Sequence, residues 1–177
     1  MTRLCTCEWE DRPHSPVEDA SAVEAFSRGW NLVVAVHYFH PETGELVIVS
    51  RKDDSTKFCT PGGKVDPCDW DGMEVTSNNA EWACRAAAAR EAREEAGLII
   101  DPAYVAEGLH RVMGTPCFGD GRLHKRFAVQ YLVGRVKGVG MRTNEPITVR
   151  WGKPSEVVAG PFGDVYRMVY EALGVKV

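Results

Sequence analysis

Arg90-Glu91-Ala92-Arg93-Glu94-Glu95-Ala96-Gly97-Leu98 closes an alanine-rich stretch that begins near Ala80, and its reading decides the fold. At roughly 100° per residue, carboxylates at i, i+3 and i+4 share one side of a helix. Cys84, Ala87, Ala88 and Leu98 fall on that side as well, while Arg85 and Arg93 point away from it. Glu91, Glu94 and Glu95 therefore continue the apolar stripe, whereas a solvated charge run belongs opposite it. Three like charges at helical contact spacing repel one another. Arg90 reaches Glu94 as an i,i+4 pair, but one guanidinium cannot balance three carboxylates. A hard divalent cation can, because Mg²⁺ takes a few carboxylate oxygens together with waters and substrate phosphates. Gly97 supplies the left-handed residue that ends the helix. Taken alone, the run is better read as a surface helix laced with Arg–Glu pairs, and the sequence upstream is what changes that reading.

Upstream, Phe58 leads into Thr60-Pro61-Gly62-Gly63-Lys64-Val65-Asp66, where glycine lets the backbone approach a ligand closely. A lone Pro-Gly-Gly is usually an ordinary turn. Followed by the acidic helix, it reads as one wall of a site. The two halves are separated by Pro67 to Asn79, which carries Cys68, Asp69, Trp70, Asp71, Gly72 and Met73. This excursion either places Trp70 over a base or decorates the surface.

Together, Pro61-Gly62-Gly63-Lys64-Val65 and Arg90 through Leu98 resemble the box of the Nudix hydrolase superfamily. The family pattern is a glycine, five residues, a glutamate, seven residues, then Arg-Glu-(apolar)-x-Glu-Glu-x-Gly-(apolar), with Ala92 at the apolar position here. Two departures stand out. The helical part begins about a dozen residues late, after the insert, and Trp82 occupies the position eight before Arg90 where the family has glutamate, with Glu81 one residue off. The resemblance, over roughly residues 30 to 174, implies an α/β fold: an α/β/α sandwich with a mixed central sheet and a loop-helix-loop box. It also implies hydrolysis of a phosphoanhydride in a nucleoside diphosphate linked to another group, with Mg²⁺ or alternatively Mn²⁺ as cofactor. On this pattern Glu94 and Glu95 are the principal metal ligands, and the Gly62 carbonyl is a further one. Glu91 is a ligand or the general base, and Arg90 orients the carboxylates through charge-assisted hydrogen bonds. In the family an acidic residue in the loop before a strand ending in tryptophan often completes the site. Glu145, the only carboxylate between Gly138 and Pro146, precedes Ile147-Thr148-Val149-Arg150-Trp151 and stands as the alternative base. Physical chemistry agrees with such a site, since a polyphosphate enters a carboxylate-lined pocket only if divalent ions bridge the two.

The rest of the chain sets bounds. Its 177 residues suit one domain, and 44% hydrophobic with 26% charged residues is the composition of a globular protein. A net charge of -4 gives no general attraction to nucleic acid or to acidic membranes. No stretch approaches the ~18 to 20 apolar residues that span a bilayer, and no secretory pattern opens the chain, so a cytoplasmic location is expected. The six cysteines are then expected as free thiols. Cys5-Thr6-Cys7 with His14 lacks the paired spacing of a zinc site.

Residues 1–28 read as an extension with one short helix, Val17 to Phe26, and residues 29–177 as the catalytic domain with its insert at about 67–79. Asn31 to Phe39 and Leu46 to Ser50 read as a hairpin around His40-Pro41-Glu42-Thr43-Gly44. Val105 to Met113, Phe127 to Val133 and Leu132 to Val136 read as strands, and Pro154 to Val158 and Gly163 to Gly174 as helices. The last packs Val165, Met168, Val169 and Leu173 inward. Between these strands, Arg122, Lys125 and Arg126 are candidate phosphate or ribose contacts, alongside His124, and each is equally at home on a solvated hairpin end. Asp120, between glycines, reads as a turn residue before a metal ligand. Pro116 lies eighteen residues beyond Leu98, near but not at the spacing of ADP-ribose-hydrolysing relatives. The substrate order is therefore nucleoside triphosphates, then ADP-ribose-like compounds, then dinucleoside polyphosphates. A catalytically silent nucleotide sensor on the same fold is the alternative function, and a homodimer is a further expectation from the resemblance.

Overall fold

The computed structural model describes residues 15–16, 31–74, 76–105, 110–114 and 126–177. In chain order these form β1 (Ser15–Pro16), β2 (Asn31–His37), β3 (Leu46–Ser50), β4 (Phe58–Cys59) and β5 (Gly62–Lys64), then a 3-10 turn (Pro67–Trp70) and α1 (Ser77–Ala96). They continue through β6 (Leu98–Ile99), a second 3-10 turn (Pro102–Tyr104), β7 (His110–Gly114), β8 (Arg126–Leu132), β9 (Gly138–Val139), β10 (Val149–Gly152), α2 (Pro154–Val158) and α3 (Gly163–Leu173). Five strands pair in the order β1-β7-β8-β2-β5, three in the order β10-β3-β4, and β6 pairs with β9. β2 and β8 run parallel, from Asn31 opposite Arg126 to His37 opposite Leu132. Every other pairing is antiparallel, so the larger sheet is mixed.

Side-chain alternation divides the interior. On β2, Leu32, Val34 and Val36 pack with Val129, Tyr131 and the alanine stripe of α1, namely Ala80, Ala83, Ala87, Ala88, Ala92 and Ala96. The opposite face of β2 carries Val33, Ala35 and His37. β3 is buried on both faces, with Val47 and Val49 in the first core and Leu46 and Ile48 in a second core with Val157, Tyr166, Val169 and Tyr170. The sheets thus lie between α1 on one side and α2 with α3 on the other, as the sandwich requires. Alanine makes α1 thin enough to sit close to the sheet, which brings its acidic end against β5.

Several boundaries differ from the sequence reading. β2 and β3 do not form a ladder. Only the turn end of the expected hairpin pairs, through His40 N–H to Glu45 O at 2.6 Å, Val47 N–H to Tyr38 O at 3.1 Å and the Phe39–Leu46 bridge, before the strands part into separate sheets. Each finds a better partner elsewhere, β2 in β8 and β5, β3 in β10. α1 begins at Ser77 inside the expected insert, because the Thr76 hydroxyl accepts from Asn79 N–H and caps it. The strand expected from Val105 starts at His110, since Pro102 opens a 3-10 turn whose carbonyl takes the Val105 N–H. Residues 133–136 are not a strand, and the strand expected from Ile147 begins at Val149. On α3, Tyr166 and Tyr170 are buried with Val165 and Val169, while Met168 and Leu173 are only half-buried. Ser15–Pro16, within the expected extension, adds an edge strand beside β7. The short helix at 17–26, the Cys5-Thr6-Cys7 segment, Pro116 and Asp120 lie outside the described residues. Of the described cysteines, Cys59, Cys68 and Cys84 are free thiols, and among described residues no helix is long and apolar enough to cross a membrane.

Candidate active site

β5 is an edge strand, and its register with β2 decides what it offers to α1. Val36 N–H donates to Pro61 O and Val65 N–H to Leu32 O, so Gly62 and Lys64 occupy the non-hydrogen-bonded positions opposite Ala35 and Val33. Their N–H and C=O groups turn away from β2. Gly62 N–H donates to Glu95 Oε2 at 3.0 Å, and the Lys64 carbonyl accepts from Arg90 Nη2 at 3.0 Å. Both glycines are required by space. A Cβ at Gly62 would collide with the Val34 carbonyl oxygen, and one at Gly63 would run into the Glu91 carboxylate.

Arg90 is the hub beside this corner. Nε and Nη2 form a two-pronged contact with Asp69 Oδ1 and Oδ2, each at 3.0 Å, while Nη1 donates to Glu91 Oε1 at 3.0 Å and Glu94 Oε2 at 3.3 Å. Asp69 is buried, and its Oδ2 also accepts the Asp66 N–H at 2.7 Å. The guanidinium is held firmly charged, chiefly by Asp69. Asp69, six residues after Gly63, stands at the spacing that the pattern gives its middle acid, and it is Asp69 that grips Arg90. Counted from Asp69, the residues in excess of the pattern fall at 70–82 in place of 67–79. Counting forward from Gly63 finds Asp69, whereas counting back from Arg90 crosses the insert and lands on Trp82, which is exposed on α1.

The loop after β9 docks on the C-terminal end of α1. Gly140 N–H donates to Gly97 O at 2.8 Å, Arg142 N–H to Ala96 O at 3.3 Å and Asn144 N–H to Glu94 O at 3.1 Å, so the loop fills carbonyls that the helix end leaves unpaired. Gly97, at φ 65°, ends the helix as expected. This docking carries Glu145 to the acidic turn, where Lys52 Nζ stands 2.9 Å from its Oε2. Lys52 had no sequence signal, being one cation in a polar loop. Its ammonium is pulled up in pKa mainly by Glu145, with smaller contributions from Glu95 and Glu91.

The carboxylates are not equally balanced. Burial pushes the Glu95 carboxyl up to about 7, against the Gly62 N–H bond that favours its charged form, and the charges of Glu91 and Glu145 add to the rise. Glu91 is also raised, again mainly by burial, with Arg90 opposing. Negative charge thus exceeds what Arg90 and Lys52 neutralise, and the donor set is all oxygen, which suits a hard divalent cation. Among the described residues no three His, Cys, Asp or Glu side chains are already gathered at one point. An ion would draw Glu91 or Glu94 away from Arg90.

Glu95 opens onto a cavity of about 310 Å³ between the two sheets and α3. Lys52, Arg51, Gly62, Gly63 and Lys64 line it along with Glu95, and Val49, Ala128, Ile147, Phe162 and Val165 give it apolar walls. Arg51 lies over the Phe162 ring with its guanidinium carbon 5.6 Å from the ring centre. Trp70 is absent from these walls. It is buried in the core beneath α1, because the 3-10 turn held by Arg90–Asp69 tucks it inward, so it does not cover a ligand here. Arg122 and Lys125 lie outside the described residues, and of Arg126 only the backbone, opening β8, is described.

The NUDIX domain family model matches residues 30–173. Among solved structures, the chain is similar to the Escherichia coli ORF135 protein, at 22% identity over 82% of this chain and 91% of that one, with TM-score 0.56. It is similar to a NUDIX hydrolase from Nitrosomonas europaea, at 18% identity over 81% and 89%, with TM-score 0.54. A MutT NUDIX hydrolase from Burkholderia pseudomallei matches at 18% identity over 81% and 97%, also with TM-score 0.54. These likenesses concern the fold. No curated protein matches in a sequence comparison. The match along most of the chain, on a site with the box's glycine corner and acidic helix end, is decisive: the chain belongs to the NUDIX domain family of pyrophosphohydrolases that act on acid anhydrides.

Proposed function

We propose that the protein uses Mg²⁺, or Mn²⁺ in its place, to hydrolyse a phosphoanhydride in a nucleoside diphosphate linked to another group, with nucleoside triphosphates first among the candidates. The observation that carries this reading is the placement of Glu95 where the cavity meets the Gly62-Gly63 corner. Phosphates at that end would meet Lys52, Arg51 and Lys64, and a nucleoside would lie against the apolar walls. A volume near 310 Å³ is at the low end for ligand sites and favours one nucleoside over two. That ranks ADP-ribose-like compounds, which carry a second ribose, and dinucleoside polyphosphates, which carry a second nucleoside, behind triphosphates.

Glu91, Glu94 and Glu95 would hold the metal together with the Gly62 carbonyl, which the ladder leaves on the side of α1. When bound, such an ion polarises a phosphoryl oxygen and lowers the pKa of the attacking water. Glu91 or Glu145 would accept that water's proton. Arg90 positions Glu91 and Glu94, and Lys52 holds Glu145 until substrate phosphate competes for its ammonium. Arg122, Lys125 and Arg126 remain proposed phosphate or ribose contacts.

The test is a hydrolysis screen with Mg²⁺ and Mn²⁺ over nucleoside triphosphates, ADP-ribose, NADH and dinucleoside polyphosphates, comparing wild type with Glu95→Gln. We expect metal-dependent cleavage that drops roughly 100-fold or more in a variant that is still folded. Equal turnover in folded Glu95→Gln would sink the site assignment. No cleavage of any compound by metal-bound protein would move the reading to a nucleotide sensor.

A further inference from the structure

Gln130 stands on the cavity face of β8, opposite Ala35, which is in turn opposite Gly62. Two interstrand spacings, roughly 10 Å, therefore separate it from the glycine corner. It is 3% exposed, lines the cavity and is the lone amide side chain among the described residues of its wall. Behind it is a buried chain of polar groups. His37 Nε2 lies 2.8 Å from Gln130 Oε1, and His37 Nδ1 lies 3.3 Å from the Tyr170 hydroxyl.

Proton bookkeeping along this chain fixes the amide. The Tyr170 hydroxyl is buried, and among the described residues its one hydrogen-bond partner is His37. A buried O–H without an acceptor is costly, so Tyr170 donates to Nδ1. The imidazole is then neutral with its hydrogen on Nε2, and Nε2–H donates to Gln130 Oε1. Burial, which pushes the His37 pKa down to about 4, supports the neutral ring. The amide orientation follows from the network: the oxygen faces His37, so the NH₂ is the end that Gln130 can present to the cavity it lines, and it has no partner among the described residues. The other uncharged polar groups there are engaged. Thr60 bonds Tyr166 through both its N–H and its hydroxyl, and Ser50 Oγ accepts from Thr148 N–H.

We propose that Gln130 selects the base of the substrate, donating from its NH₂ to a ring carbonyl and so favouring an oxo-bearing base such as a 6-oxopurine over its amino counterpart. This rests on the reading that the cavity holds a nucleoside. An amino group at the same position would meet Gln130 donor to donor, and a site that leaves buried donors unpaired rejects the wrong ligand more strongly than an apolar wall does. Gln130 is a specificity residue here, while His37 and Tyr170 act through it.

Two readouts test it. Inosine and adenosine differ at position 6, a carbonyl against an amino group, and their binding needs neither phosphate nor metal. Calorimetric titration of the wild type should show inosine tighter by roughly tenfold, and kcat/KM for ITP over ATP with Mg²⁺ should follow the same ratio. In Gln130→Leu both ratios should fall to within about twofold, mainly through KM. Tyr170→Phe removes the proton that sets the His37 tautomer, lets the amide flip, and should lower or invert the ratios. A structural role alone would weaken both ligands equally and keep the ratios. Unchanged ratios in both variants overturn the inference even if triphosphates are cleaved. Selective inosine binding that Gln130→Leu abolishes, without hydrolysis of any nucleotide, supports the inference and overturns the hydrolase reading. Neither binding nor hydrolysis overturns both.

Discussion

Arg90 satisfies five acceptor atoms with one side chain, on Asp69, Lys64, Glu91 and Glu94. The Asp69 contact is the one that is buried, with the carboxylate 4% exposed against 22% for the guanidinium. Breaking such a pair takes from the guanidinium its most buried partner and leaves Glu91 and Glu94 to balance it. Asp69→Ala should therefore lower unfolding stability by about 3 kcal/mol and release Arg90 from its tether to the 3-10 turn. Asp69→Glu, the longer acid at the same position, should recover part of the loss. Urea unfolding measures it, and a change in Asp69→Ala within about 0.5 kcal/mol, the range of surface substitutions, would show the pair to be idle. The roles of Glu91, Glu94 and Glu95 were open to proposal from helical spacing because repulsion among them demanded an explanation. Asp69, Lys52 and Gln130 were harder. Asp69 needed the count to start from the correct end of an insert, and Lys52 acquires meaning only when the chain brings Glu145 to it. Gln130 is a polar residue inside the apolar run of β8, and it stands out only once its neighbours' protons are assigned.

At the scale of elements, α1 and β5 form one unit in which backbone geometry and acid placement are inseparable. The two glycines of β5 make opposite predictions. At Gly63 a Cβ meets the far end of a flexible side chain, the Glu91 carboxylate. Gly63→Ala should push that carboxylate aside and cut turnover while costing little stability. At Gly62 the obstruction is the Val34 carbonyl oxygen, which belongs to the ladder and cannot swing away. Gly62→Ala should cost stability first, in the range of about 1–3 kcal/mol for forced overpacking. Measuring melting temperature and kcat for both variants separates the cases, and equal loss of stability in the two would refute the distinction. The same contrast explains what sequence patterns conveyed about elements. Alanine periodicity and Gly97 located α1 and its end, but Thr76 shifted its start, because a capping hydroxyl outweighs a change in apolar spacing. The β2–β3 turn was recognisable from its residues. Where the two strands go after the turn depends on partners about 95 to 106 residues away, β8 and β10, and local alternation carries no information about them.

Across the whole molecule, two buried ionisable groups have opposite leanings. His37 sits where the two halves of the interior meet, on β2 of the larger sheet and against Tyr166 and Tyr170 of α3, with ring centres 5.6 Å from each. Its pKa falls from 6.5 to about 4 on folding because burial disfavours the charged ring. Between those values the unfolded chain binds a proton that the folded chain refuses, so this group makes stability rise with pH from about 4 to 6.5. Glu95 does the reverse. Its pKa rises from 4.5 to about 7 on folding, so the folded chain holds a proton that the unfolded chain releases, and stability falls as pH rises through that window. Each shift corresponds to about 3 kcal/mol, and the two nearly offset one another between pH 4.5 and 6.5. Glu91, also raised, adds to the Glu95 side. With divalent ions chelated, the urea midpoint of the wild type should therefore change little across this range on account of this pair. Glu95→Gln should expose the His37 contribution, losing about 3 kcal/mol as pH is lowered from 6.5 to 4. His37→Gln should expose the opposite slope, becoming less stable as pH rises from 4.5 to 7. Groups common to all three proteins cancel in the comparison, so three parallel curves would show that neither group is buried in the state that this geometry describes.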